Sequence, residues 1–211
     1  NSLGLTLVDQ DERPLLSNEI LREALAQHLR LRAGWLEQEA GELAAASLIC
    51  FAEPFWDALR SPFVASGEAQ ALLLLEECFG SVQGGRGLQA AGIGDWRPLL
   101  RSSLSLLVCP AAERAALLAC GPDLNEYFER GGIVAWAMEP GPEATAAALK
   151  LEWQSLAERA LEADILTSRL LAGSLLTLGG EIARGSPADA DAALELLAHA
   201  ARAVRAHYKL S

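Results

Sequence analysis

Carboxylates stand at or shortly after the ends of several of the most apolar runs in this chain: Asp9, Glu53, Asp95, Glu139 and Glu181. If the ends that carry Asp9, Glu53, Glu139 and Glu181 converge, they form an acidic mouth suited to a cationic ligand or to a hard cation such as Mg2+, which prefers carboxylate oxygens. The plainer alternative is that each is a solvated carboxylate at the start of a loop. Imidazole chemistry has little to draw on, because His28, His199 and His207 all fall in stretches of helical periodicity, where surface or packing roles are usual. Cys50, Cys78, Cys109 and Cys120 are widely spaced, and no C-x-x-C pair occurs. Buried, reduced thiols are therefore expected, not a disulfide framework.

Positioning such groups requires a scaffold, and the pattern supplies one. Six short apolar runs alternate with longer amphipathic stretches: Leu3–Val8, Ser47–Phe51, Gly87–Ala91, Leu104–Cys109, Ile133–Met138 and Leu175–Leu178. Near-continuous runs of this length read as strands buried on both faces of a parallel sheet. The first intervening helix is predicted from Ser17 to about Ala40, with Ile20, Leu21, Ala24, Leu25, Leu29 and Leu36 at helical spacing. Ser66 is a candidate cap for the next helix, which carries Leu72, Leu75 and Phe79. Short helices are expected after Asp95 and over Ala111–Ala119. Another runs from about Asp123 to Arg130 and stops at Gly131-Gly132. Pro142 can open a long helix through Leu151, Leu156 and Leu161, and Ser186-Pro187 an N-capped final helix to about Tyr208. Repeated strand–helix alternation predicts right-handed crossovers in a parallel sheet. Pattern alone leaves open an open doubly wound sheet or a closed barrel, which has eight strands in about 250 residues.

Composition narrows the class further. The 211 residues are 51% hydrophobic and 21% charged, with a net charge of -11. A general nucleic-acid surface needs clustered Lys and Arg and is not expected. No apolar run reaches the length of about 18 residues that a membrane span requires. The start, Asn1 to Asp9, carries neither a basic region nor a signal cleavage pattern, so a cytoplasmic location is the expectation.

Four segments carry a resemblance. Ala52-Glu53-Pro54-Phe55 looks like a D-E-P-F/A motif at a strand end. Gly87-Leu88-Gln89-Ala90-Ala91-Gly92-Ile93-Gly94-Asp95-Trp96 is similar to G-V-H-C-C-G-N-T-D-W. Tyr127-Phe128-Glu129-Arg130-Gly131-Gly132-Ile133-Val134-Ala135-Trp136 resembles F-L-E-R-G-G-I-I-A-W-G. The opening, Leu3-Gly4-Leu5-Thr6-Leu7 followed by Asp11-Glu12-Arg13-Pro14-Leu15, looks like the strand after G-P-V-T and its D-G-R-P loop. In this order and spacing the chain resembles the superfamily of uroporphyrinogen decarboxylase and the C-terminal domain of cobalamin-independent methionine synthase. The resemblance implies an α/β fold of the (β/α)8 TIM-barrel type. Residues 1–211 would form a single barrel domain covering about six βα units, the third to the eighth, and N-terminally incomplete. The gap would be filled by more of the same polypeptide, by a partner chain completing the barrel, or by a homo-oligomer.

The same resemblance implies where chemistry would sit. Barrel sites form at the carboxyl ends of the strands. Zinc-dependent relatives hold a thiolate there with soft Cys and His ligands, because zinc lowers the thiol pKa. The matching positions are Gln89 and Ala91, then roughly Pro110, then roughly Gly180, and none is a usable zinc ligand. Zinc is not expected, no other cofactor is predicted, and zinc-dependent thiol methyl transfer is read as lost. Ligand-binding candidates are Glu53, Gln89, Asp95, Trp96 and Glu139. Glu53 could bind the ammonium or polar group of a small molecule, or be a hydrogen-bonded carboxylate at a strand end. Asp95 could bind a ligand or cap the short helix after it, and Trp96 could stack on a planar ligand or cover the rim. Gly92 and Gly94 permit positive φ, and Gly84-Gly85-Arg86-Gly87 reads as a helix-to-strand turn, not as a phosphate loop. Two functions stay open. One is a methyltransferase- or decarboxylase-like barrel enzyme without zinc. The other is a non-catalytic subunit that binds a small molecule or a corrinoid partner.

Overall fold

The computed structural model of the chain describes residues 1–61, 64, 67–139, 144–179 and 186–210. It has two compact units, Asn1–Leu107 and Val108–Ser211.

In the first unit, α1 (Ser2–Thr6) and a 3-10 turn (Leu15–Ser17) lead into α2 (Glu19–Gly41). The side chain of Asn18 caps α2 by accepting from the N–H groups of Ile20 and Leu21. Strand β1 (Leu48–Glu53) follows, then a 3-10 segment (Trp56–Arg60), α3 (Glu68–Cys78), β2 (Gly85–Ala90) and α4 (Arg97–Leu100). Strands β1 and β2 are parallel, with Leu48 opposite Gly85 and Glu53 opposite Ala90. Leu16, Ala26, Leu74 and Cys78 form a buried cluster, with Leu5, Leu29 and Phe51 packed against it. The helices and the inner face of β1 are thereby joined through apolar contact. The turn into β2 is tied down by Glu37 of α2, whose carboxylate accepts from the N–H groups of Gln83 (2.8 Å) and Gly84 (2.6 Å).

Strand β3 (Leu106–Cys109) spans the boundary between the units. The second unit continues with α5 (Arg114–Leu118), α6 (Gly121–Glu129), β4 (Ile133–Met138), α7 (Ala146–Glu162), α8 (Thr167–Ala172), β5 (Ser174–Leu178) and α9 (Pro187–Tyr208). Gly131 takes φ 85° just past α6, the left-handed position that favours glycine at a helix C-terminus. Leu149, Trp153, Leu156 and Ala160 bury one face of α7 at spacings of four, three and four residues. Strands β4 and β5 are parallel, with Val134 opposite Ser174 and Met138 opposite Leu178. The sheet is five-stranded and parallel, in the order β1-β2-β3-β4-β5.

Several expectations are corrected. The run Leu3–Val8, read as a strand, forms a helical turn over Ser2–Thr6, so the described residues hold five strands and not six. A strand needs a ladder partner, whereas here buried acceptors from Glu53 receive the first N–H groups of a helical turn. Strand β1 is not buried on both faces: Leu48, Cys50 and Ala52 are exposed, so Cys50 is not the buried thiol expected. The cap of α2 is Asn18, one residue past the expected Ser17. Helix α8 went unread because six residues are too few to show a period. The expected roles of Ser66, Pro142, Gly180 and Glu181 fall outside the described residues.

Candidate functional site

Strand pleating decides which expected site residues share a face, since successive side chains alternate between the two sides. In β1, Ile49, Phe51 and Glu53 point one way and Leu48, Cys50 and Ala52 the other. Phe51 meets Phe79 edge-on at 4.8 Å, which marks its side as the one covered by helices. Gln89 lies opposite Ala52 in the register and so belongs to the other, open side, where it is exposed. Glu53 and Gln89 end neighbouring strands on opposite faces.

Glu53 is 7% exposed and its carboxylate is fully engaged. The backbone nitrogen of Asn1 donates to Oε1 (2.8 Å), while the N–H of Ser2 (2.8 Å) and its Oγ–H (2.6 Å) donate to Oε2. The Ser2 oxygen in turn accepts from the N–H of Phe55 at 3.2 Å. The carboxylate thus sits at the N-terminal end of α1, where negative charge is favoured and N–H groups lack helical partners. The loop that starts at Pro54 is pinned by the same serine.

The end of β2 is built differently. Gly92 has φ 75°, a conformation that side chains resist, and its carbonyl accepts from Arg60 Nη2 at 2.7 Å. Asp95 Oδ1 accepts from the backbone N–H of Arg97 (3.1 Å) and from its Nε (2.8 Å). The Arg97 side chain, and then its backbone N–H, hold the Asp95 carboxyl below its ordinary range. Trp96 is 1% exposed, so its ring offers no face to a ligand entering from solvent, and its indole N–H is buried without a hydrogen-bond partner.

In the second unit, Glu139 follows β4 and is exposed. Its side chain runs along Gly179, where an added Cβ would come within 2.8 Å of Glu139 Cγ. Cys109 is fully buried, and burial pushes its thiol up to about 12, so it is neutral at physiological pH. A residue that sequence reasoning missed stands nearby in the chain. Arg114 is 8% exposed and donates to Glu152 Oε1 (2.6 Å) and to the Ala137 carbonyl (2.6 Å). Its Nε–H is buried without a partner. The only hint in the sequence is position: a cation four residues after a strand-ending proline. Arg60 and Ser2 were missed as well, because nothing in their spacing announces partners so distant along the chain.

These groups can orient loops and hold charge, but those with described partners are engaged mainly with one another. Among the described residues, no three His, Cys, Asp or Glu side chains gather as a metal-binding group. No described helix is long and apolar enough to cross a membrane. Compared with protein-family models, curated proteins and solved structures, the chain shows no match in any of the three.

Proposed function

We propose that this chain is a divergent barrel protein of the uroporphyrinogen decarboxylase and cobalamin-independent methionine synthase superfamily, with zinc-dependent thiol methyl transfer lost. The observation that carries the reading is the strand order. Five parallel strands follow one another as β1-β2-β3-β4-β5. A doubly wound sheet reverses its order at a switch point. The strands of a (β/α)8 barrel succeed each other without reversal. In this reading the open face bearing Ala52 and Gln89 is the one that lines the barrel, and Gln89 and Ala91 stand where relatives carry zinc ligands.

Thiolate transfer on zinc requires soft donors, which Gln and Ala do not provide. Any surviving activity is that of a barrel enzyme without zinc. The alternative, a non-catalytic subunit binding a small molecule or a corrinoid partner, is favoured by one specific observation. Glu53 and Asp95, two of the three acidic candidates for ligand contact, both accept hydrogen bonds from internal donors.

Elemental analysis of the purified protein, followed by thermal-shift measurements with zinc, a tetrapyrrole, a cobalamin and homocysteine, tests both. The expected result is no stoichiometric zinc and a raised Tm with the tetrapyrrole or the cobalamin. One zinc per chain would overturn the loss of the metal. Unchanged Tm with every compound would overturn the binding reading.

A further inference from the structure

The sheet ends on β5 in the second unit, and every side chain of that strand, Ser174-Leu175-Leu176-Thr177-Leu178, is uncharged. Its backbone groups can be placed residue by residue. In a strand, one residue directs its N–H and C=O to one side and the next residue to the other. The Gly173 carbonyl accepts from the Val134 N–H (2.8 Å), and the Gly179 N–H donates to the Met138 carbonyl (2.7 Å). Leu175 and Thr177, in phase with both glycines, therefore face β4. Ser174, Leu176 and Leu178 direct their backbone groups to the outer side. Among the described residues, no hydrogen bond reaches those groups. Exposed edges are commonly guarded by Lys or Pro, and β5 has neither.

A groove of about 370 Å³ runs beside this edge. Ser174, Leu175 and Leu176 all border it. Successive side chains alternate between faces, so a groove touched by three in succession opens along the edge. Ala201 and Val204 of α9 and Leu210 beyond it complete the apolar border. No carboxylate lines the groove, although the chain carries a net charge of -11. Two copies that repel each other elsewhere can therefore approach here without acid–acid contact.

The edge is also its own complement. Its outward groups recur at 174, 176 and 178, symmetric about Leu176. An antiparallel copy related by a two-fold axis at Leu176 places Leu176 opposite Leu176 of the partner subunit. Ser174 then lies opposite Leu178 of the partner subunit, and each such pair exchanges both N–H···O bonds. Leu175, 49% exposed, comes opposite Thr177 of the partner subunit at a non-hydrogen-bonded position, where side chains lie closest.

We propose that β5 is the interface of a two-fold dimer of this chain, formed by antiparallel pairing of Ser174–Leu178 with the same strand of a second copy. The pairing needs only the edge of the second unit and does not depend on the barrel reading. One short strand and its groove make a small interface, so the association is weak and reversible.

Sedimentation equilibrium of the purified full chain over a range of concentrations is the first measurement. The expected result is a mass that climbs from monomer toward dimer. Leu176→Pro removes an outward N–H that β4 does not use, a position where an edge strand tolerates proline, and weakens the dimer about tenfold. In a Cys50→Ser background, which removes the exposed thiol, Leu176→Cys brings two thiols together across the axis. Hydrogen-bonded antiparallel partners have Cα atoms about 5.5 Å apart, within the reach of a disulfide. Mild oxidation then links position 176 to itself, as peptide mapping shows. A monomer at every concentration overturns the proposal. So does a dimer that Leu176→Pro leaves unchanged, which would place the contact elsewhere, or a dimer whose introduced thiols do not bridge. If Leu176→Pro does not fold, Leu178→Pro at the end of the strand and the bridging variant still decide.

Discussion

Glu53 is acidic, follows an apolar strand and precedes a proline, features shared by ligand-binding carboxylates at the ends of barrel strands. Its surroundings assign it structural work as well: three donors from Asn1 and Ser2 converge on its two oxygens, and Ser2 passes the connection on to Phe55. Glu53→Gln keeps the shape but turns one acceptor into a donor that faces other donors. With the site buried, that mismatch costs about 1–3 kcal/mol. Chemical denaturation should therefore show a lower midpoint for Glu53→Gln with an unchanged slope. An unaltered midpoint would mean that the carboxylate does not hold α1 in place. Trp96 makes the same point in apolar form: a tryptophan beside a glycine-rich loop is a natural stacking platform, yet here the ring is core.

At the scale of elements, local signals that satisfy backbone groups within a few residues were the most legible. Ser186 and Asp189 bond to each other's backbone in a reciprocal capping box, and Pro187 occupies the first turn of α9. Ser186→Ala removes the oxygen that receives the N–H of Asp189 and should cost about 1 kcal/mol, whereas Ser186→Asp, which also caps, should restore most of it. Thermal unfolding of the two variants checks this, and equal Tm values would deny the cap its role. The first apolar run illustrates the opposite case. Leu3, Leu7 and Val8 look like strand residues, and the sequence is neutral between a strand and a turn of helix over so short a span. The acceptor that favours the helical turn lies on β1, about fifty residues away.

At the scale of the whole molecule, stability should be bounded on both sides of neutral pH. Glu37 titrates below its ordinary value, chiefly because the Gln83 N–H bonds its carboxylate, and Asp95 does so because of Arg97. A carboxylate with a depressed folded pKa adds stability above its unfolded value, about 4. That stability is lost as pH falls through the folded value. Burial raises the Cys78 thiol to about 11 and the Cys109 thiol to about 12. The sign is then reversed: their contribution is complete below the ordinary thiol pKa of about 8.5 and is lost as pH rises toward the folded values. Unfolding midpoints measured from pH 3 to 11 should hold a plateau between about 5 and 8 and fall at both ends. A profile still rising beyond pH 9 would show that the two thiols are not buried in solution. From the sequence alone came the alternation of strands and helices, the bounds of α9, the glycine stop at Gly131 and the parallel class of the sheet, because periodicity and capping act over a few residues. Tertiary structure alone decided the strand order, the face on which Glu53 and Gln89 each stand, and the burial of Trp96, Trp153 and Arg114. Those depend on which distant segments come to share a surface, and no local pattern of side chains encodes the identity of a partner fifty residues away.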